Sequence, residues 1–157
     1  MTTGISRDLV TQYFNACISR VPERIAHCLD DDVQWSLSGP IDLLPFCGPK
    51  RGKSAVIETV VRLVPSVIRL TRMDIEELLI EGDRAAAFVQ IGAIHAATGR
   101  TVSYRNAQFL RFRNGKLVEL RAVLDTFDAA EQVLGHPINT TLDIPMELAA
   151  SGDRIAL

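Results

Sequence analysis

The stretch Thr98–Asp128, TGRTVSYRNAQFLRFRNGKLVELRAVLDTFD, decides the fold. Asn114-Gly115 lies between two runs of strand-forming residues, and both centre positions of the tightest hairpin turns need a positive φ that Asn and Gly adopt with least strain. In the second run, Leu120, Ala122 and Leu124 fall on one face and Arg121, Val123 and Asp125 on the other. That period of two marks a strand buried on one side. A Thr98-Gly99 turn precedes the first run, and Glu81-Gly82-Asp83 separates two further runs upstream. Four long strands between Ile68 and Phe127 therefore form a hairpin meander.

Toward the N-terminus the period changes. Ser6 is placed to cap a helix, and Leu9, Val10, Tyr13, Phe14, Cys17 and Ile18 follow at three- and four-residue steps, which makes one apolar stripe. Pro22 opens a short second helix that ends near Leu29. From Asp30 to Gly39 alternation returns, with Val33, Trp35 and Leu37 on one face of a strand. Pro40 to Gly52 contains three prolines and two glycines and reads as a loop; Ala55 to Val64 has helical spacing, which Pro65 is expected to stop. Past the meander, Asp128 with Glu131 reads as a capping box, and Gly135 with Pro137 as the close of a last short helix. Residues 137–157 carry little pattern and read as a C-terminal extension to a core of 6–136, with the 157 residues forming a single domain.

Three helices followed by a meander can hide their apolar stripes only against one face of the sheet. The expected class is α+β: a curved antiparallel sheet wrapped around three N-terminal helices, with a cone-shaped apolar cavity between them (a cystatin-like roll). Interiors of that shape are natural small-molecule sites.

Composition narrows the function. Hydrophobic residues make up 47% and charged residues 23%, a globular balance. Lys+Arg number 17 against Asp+Glu 19, so no basic excess exists to neutralise a phosphate backbone, and no nucleic-acid partner is expected. No apolar window approaches the roughly 20 residues of a spanning helix, and the first residues lack a signal-peptide layout, so no membrane partner is expected and a cytoplasmic location is. Cys17, Cys28 and Cys47 form no CxxC pair and read as small buried hydrophobes. Asp30-Asp31-Asp32 project in different directions, which suits a solvated strand entry better than a metal. Gly48–Ser54, GPKRGKS, is one residue short of a phosphate-binding loop and follows no buried strand.

Three segments carry a family resemblance: AHCLDDDVQW at Ala26–Trp35, KRGKS at Lys50–Ser54, and the Thr98–Asp128 run quoted above. Through them the chain, from about Ser6 to Gly135, resembles the nuclear transport factor 2-like superfamily, in particular its ketosteroid isomerase, limonene epoxide hydrolase and SnoaL-like polyketide cyclase branches. In the isomerase pattern a Tyr and a protonated Asp form an oxyanion hole and a second Asp is the base. Tyr13 matches the Tyr, Gln108 stands where the Asp would be and can donate through its amide, and the base position falls at Ser36 or Leu37, neither of which abstracts a proton. The epoxide hydrolase positions read Val89, Ile91 and Ala122, all apolar. For the His and Asp of the cyclases, the candidates are His95 and Asp125.

The resemblance also sends Tyr104, Asn106 and Gln108 inward. With Thr98-Gly99 as a two-residue turn, residue 95 pairs with 102, 93 with 104 and 91 with 106, which turns Ile91 and His95 inward too. A three-residue turn would flip His95 outward. The expected site therefore has His95 moving a proton and Tyr13, Gln108 and Asn106 holding an oxygen, with Asp125 as a further acid–base candidate. Tyr104, Trp35, Ile91, Leu120, Ala122 and Leu124 would line the wall. Alternation alone favours an outer-face pairing of Asp125 with Arg121. The implied ligand is a small apolar or carbonyl-bearing molecule, with no metal and no organic cofactor. The implied activity is an isomerase, cyclase or dehydratase; the alternatives are a non-catalytic binding module and a dimeric interaction protein. A homodimer through the sheet face bearing Ala107, Phe109, Val123 and Phe127 is compatible with each.

Overall fold

The computed structural model describes residues 4–139; the expectation of a C-terminal extension falls largely outside them. Helix α1 (Arg7–Ser19) begins at Ser6, whose hydroxyl accepts from the Leu9 N–H at 3.2 Å, and it buries Val10, Tyr13, Phe14, Ala16 and Cys17. Helix α2 (Pro22–Cys28) has its proline in the first turn, where the missing N–H has no partner to lose. Strand β1 (Leu29–Ser38) buries Val33, Trp35 and Leu37 by alternation.

The segment expected to be a loop contains a short strand, β2 (Gly48–Arg51), antiparallel to β1 with Trp35 opposite Lys50. Nor does Pro65 end the next helix. Helix α3 (Lys53–Glu58) widens into a π-helical turn at Thr59–Leu63, in which the Val64 N–H bonds Thr59 O, and Pro65 then lies in the first turn of α4 (Val64–Val67). The wider turn restarts the hydrogen-bond ladder just where a proline is harmless.

Strands β3 (Ile68–Glu81), β4 (Arg84–His95), β5 (Thr101–Arg113) and β6 (Lys116–Leu124) form the expected meander, and helix α5 (Thr126–Leu134) follows. Asn114 (φ 51°) and Gly115 (φ 72°) take the two positive φ values that the hairpin demands. The sheet order is β2-β1-β6-β5-β4-β3. All neighbours are antiparallel except β1 and β6, which run parallel with Trp35 beside Leu120 and Leu37 beside Ala122. Register shifts at Leu70/Arg72, Ile75/Glu77 and Arg111/Phe112 mark bulges, which bend strands and let the sheet curl over the helices. One continuous core joins α1, α3 and the inward faces of β1, β4, β5 and β6.

The start of α5 departs from the sequence reading. Asp125, not Asp128, caps α5, its carboxylate accepting from the Asp128 N–H at 3.2 Å. Glu131 instead accepts from the Ile138 N–H. Arg121 pairs with Glu119 at 3.5 Å rather than with Asp125, which the cap has already engaged.

Candidate functional site

Between the inward sheet face and the helices lies a recess of about 60 Å³. Helix α1 supplies Tyr13 and Cys17, β1 supplies Trp35 and Leu37, and the loop before β2 supplies Phe46. The π-helical turn and α4 add Val60 and Val64; β3 adds Ile68, Leu70 and Met73; β4 adds Ile91. Tyr104, Asn106 and Gln108 come from β5, and Leu120 and Ala122 from β6.

The polar groups interlock. The indole N–H of Trp35 donates to the Tyr13 hydroxyl at 3.0 Å. Two residues apart on one face of β5, Gln108 donates through Nε2 to Asn106 Oδ1 at 3.3 Å. Both amides are buried, and Gln108 Oε1 has no hydrogen-bond partner among the described residues. A buried carbonyl left unpaired carries a desolvation penalty of about 1–3 kcal/mol.

Among the described residues no Asp, Glu, Lys, Arg or His lines the recess. Its ionisable groups are held in their neutral forms. Burial pushes the Tyr13 hydroxyl well above its ordinary range, with the nearby Cys17 adding to the rise and the Trp35 hydrogen bond working against it. Burial likewise raises the Cys17 thiol to about 12 and the Tyr104 hydroxyl well above its usual range. The chamber can thus orient and polarise a neutral molecule, and none of the described residues on its wall is a base at neutral pH.

Of the residues singled out in the sequence, Tyr13, Trp35, Ile91, Tyr104, Asn106, Gln108, Leu120 and Ala122 meet at this recess. Leu124 is buried but lies off the lining. Asp125 is exposed at the start of α5. His95 lies at the far end of β4, off the lining, with Nδ1 2.8 Å from Thr98 Oγ1. The β4–β5 turn is longer than two residues: the His95 N–H bonds Arg100 O, and Ile91 stands opposite Tyr104 rather than Asn106. That shift of two residues keeps each side chain on its expected face while moving every cross-strand neighbour. Phe46, Val60, Val64, Ile68, Leu70 and Met73 are additions from the loop, the interrupted helix and the edge strand. The helical spacing around Val60 and Val64 was a usable signal, whereas Phe46 carried none.

A model of the SnoaL-like domain matches residues 10–120. The chain belongs to the SnoaL-like domain family. Among solved structures, it shares 36% identity and a TM-score of 0.77 with a provisionally assigned isomerase from Rhodopseudomonas palustris, covering 84% of this chain and 100% of that one. TerC co-crystallised with polyporic acid is 21% identical with a TM-score of 0.71, over 81% of this chain and 96% of the other. An epoxide hydrolase of the limonene type from Mycobacterium tuberculosis is 15% identical with a TM-score of 0.66, over 82% and 88%. These last two share the fold. A search of functionally curated proteins gave no match. Within the described part of this SnoaL-like domain no helix is long and apolar enough to cross a membrane, and no group of three His, Cys, Asp or Glu side chains could hold a metal ion.

Proposed function

We propose that this SnoaL-like domain binds a small, uncharged, largely apolar molecule in the recess between the sheet and the helices. The observation that carries the reading is the wall itself: mostly apolar side chains, one corner of hydrogen-bonding groups and, among the described residues, no ionised one. A charged ligand would lose its hydration without meeting a counter-charge. As the side chains stand, about 60 Å³ admits a molecule of only a few heavy atoms. Larger ligands need Leu70 and Met73, both half-buried on the edge strand β3, to swing outward.

Ala122 provides the test. It is a small residue on the lining, and Ala122→Leu fills the recess from within. Binding of small neutral probes, followed through Trp35 as the single tryptophan, is expected to fall at least tenfold while the fold is retained. Unchanged binding in that variant would remove the recess from consideration.

A second reading, an isomerase or related proton-transfer enzyme, draws on the Rhodopseudomonas palustris relative. Tyr13, Asn106 and Gln108 would hold the substrate oxygen as charge develops, and His95, the remaining candidate for the proton, would have to leave Thr98. Exchange of the α-protons of cyclohexanone in D2O separates the two readings. Exchange that this protein accelerates and Tyr13→Phe abolishes supports the enzyme; binding without exchange supports the module.

We also propose a homodimer through the outer sheet face. The register aligns Phe88, Ala107 and Val123 in one row across β4, β5 and β6, with Phe109 in the adjacent row. Phe109 and Val123 are each 51% exposed, and Phe88 and Phe127 are exposed as well. Charged pairs flank the patch, Arg105–Glu76 on one side and Arg111–Glu119–Arg121 on the other, the pattern of an apolar centre with a polar rim.

A further inference from the structure

We propose that the recess selects a neutral ligand that donates a hydrogen bond, a hydroxyl compound over its matching ketone, and that Gln108 is the residue that reads the donor. The inference rests on the ligand-binding reading above and sharpens it.

Gln108 and Asn106 are 5% and 7% exposed and occupy neighbouring inward positions on β5. One hydrogen bond joins them, and Gln108 Oε1 is left without a donor. Amide orientation does not remove the mismatch. If both side chains turn over, Asn106 donates to Gln108 and it is Asn106 Oδ1 that lacks a donor from this pair. Two amides sharing one hydrogen bond always leave one carbonyl oxygen and one NH2 group unspent.

No described donor reaches that oxygen, although the Tyr13 and Tyr104 hydroxyls and the Cys17 thiol line the same recess. The Trp35 N–H is committed to Tyr13, and among the described residues no Lys, Arg or His lines the recess. The donor must therefore arrive with whatever occupies the space. A water there would serve, and a ligand displacing it without an N–H or O–H of its own would forfeit that bond. An ammonium group would donate but would be buried without a counter-charge. A hydroxyl satisfies both halves of the corner, donating to the free carbonyl and accepting from the free NH2. Bare ketones, esters and hydrocarbons leave the carbonyl orphaned, and a site built around a ligand hydroxyl discriminates strongly against analogues lacking it.

Two matched pairs test this: propan-2-ol against acetone, and cyclohexanol against cyclohexanone, each titrated while the single indole N–H resonance of Trp35 is followed. Wild-type protein is expected to bind the alcohol of at least one pair about tenfold or more tighter than its ketone. In Gln108→Leu, and in Gln108→Met as a second variant should the first fold poorly, that preference is expected to collapse toward one. Equal or tighter ketone binding by the wild type, or an alcohol preference that survives in a folded Gln108 variant, overturns the inference and leaves the ligand-binding reading standing. If none of the four probes moves the Trp35 resonance, the ligand-binding reading itself fails, and the inference with it.

Discussion

Tyr13 holds two roles at once, and they can be separated. Its hydroxyl accepts from Trp35 and faces the recess, so Tyr13→Phe strands a buried indole N–H. The variant is expected to lose about 1–3 kcal/mol in urea unfolding, a loss that should not recur when Tyr13→Phe is added to Trp35→Phe, because the indole donor is then already gone and no buried N–H is stranded. Cys17, one helical turn away, predicts a pH dependence. Burial raises its thiol from 9.0 to about 12, so the folded state holds a proton that the unfolded chain releases. Its contribution is complete below pH 9 and declines as pH rises from about 9 to about 12, with Tyr13 adding to the decline above its own ordinary value. Cys17→Ala is expected to flatten that alkaline slope in unfolding measurements made at successive pH values. Among the recess residues, the two amides were legible through the family resemblance, which sends Asn106 and Gln108 inward, where buried amides must find partners. Phe46 and Met73 were not, because a loop residue and an edge-strand residue have no pattern that says which way they face.

Helix α5 and the turn that docks on it show how an element decides what a residue can do. The Asp125 carboxylate is the N-cap of α5, which accounts for it without acid–base chemistry. Asp125→Asn, which keeps a capping oxygen, is expected to change stability by only a few tenths of a kcal/mol and ligand binding not at all, whereas Asp125→Ala should cost about 1 kcal/mol in thermal or urea unfolding. At the other end of the helix, Arg100 donates to the carbonyls of Gln132 and Val133, and Gln132 bonds both backbone groups of Ser103. Gly135 has φ 80°, and a Cβ there would meet the Arg100 guanidinium. Gly135→Ala is therefore expected to lower the melting temperature, by strain of about 1–3 kcal/mol, without touching the recess. Turn length is what the sequence left open here: the Thr98-Gly99 signal was real, but the turn extends from His95 to Arg100, and His95 spends its ring nitrogen on Thr98.

For the molecule as a whole, the proposed dimer yields the remaining prediction. Phe109→Asp or Val123→Asp sets a charge in the middle of the exposed apolar rows, and sedimentation is expected to show a dimer becoming a monomer; a wild-type protein that sediments as a monomer would dispose of the proposal. The meander after Ile68, the apolar stripe of α1, the alternation of β1 and β6 and the Asn114-Gly115 hairpin were all legible in the chain alone, because each is set by local periodicity and local backbone preference. Tertiary structure decided the rest. The parallel pairing of β1 with β6 joins strands from opposite ends of the domain, and it brings Trp35 and Leu37 alongside Leu120 and Ala122 on the recess wall. Which candidates share a chamber, and that His95 and Asp125 do not, depends on register, bulges and sheet curl. Those are settled by long-range packing against the helices, a free energy that no single segment of the chain contains.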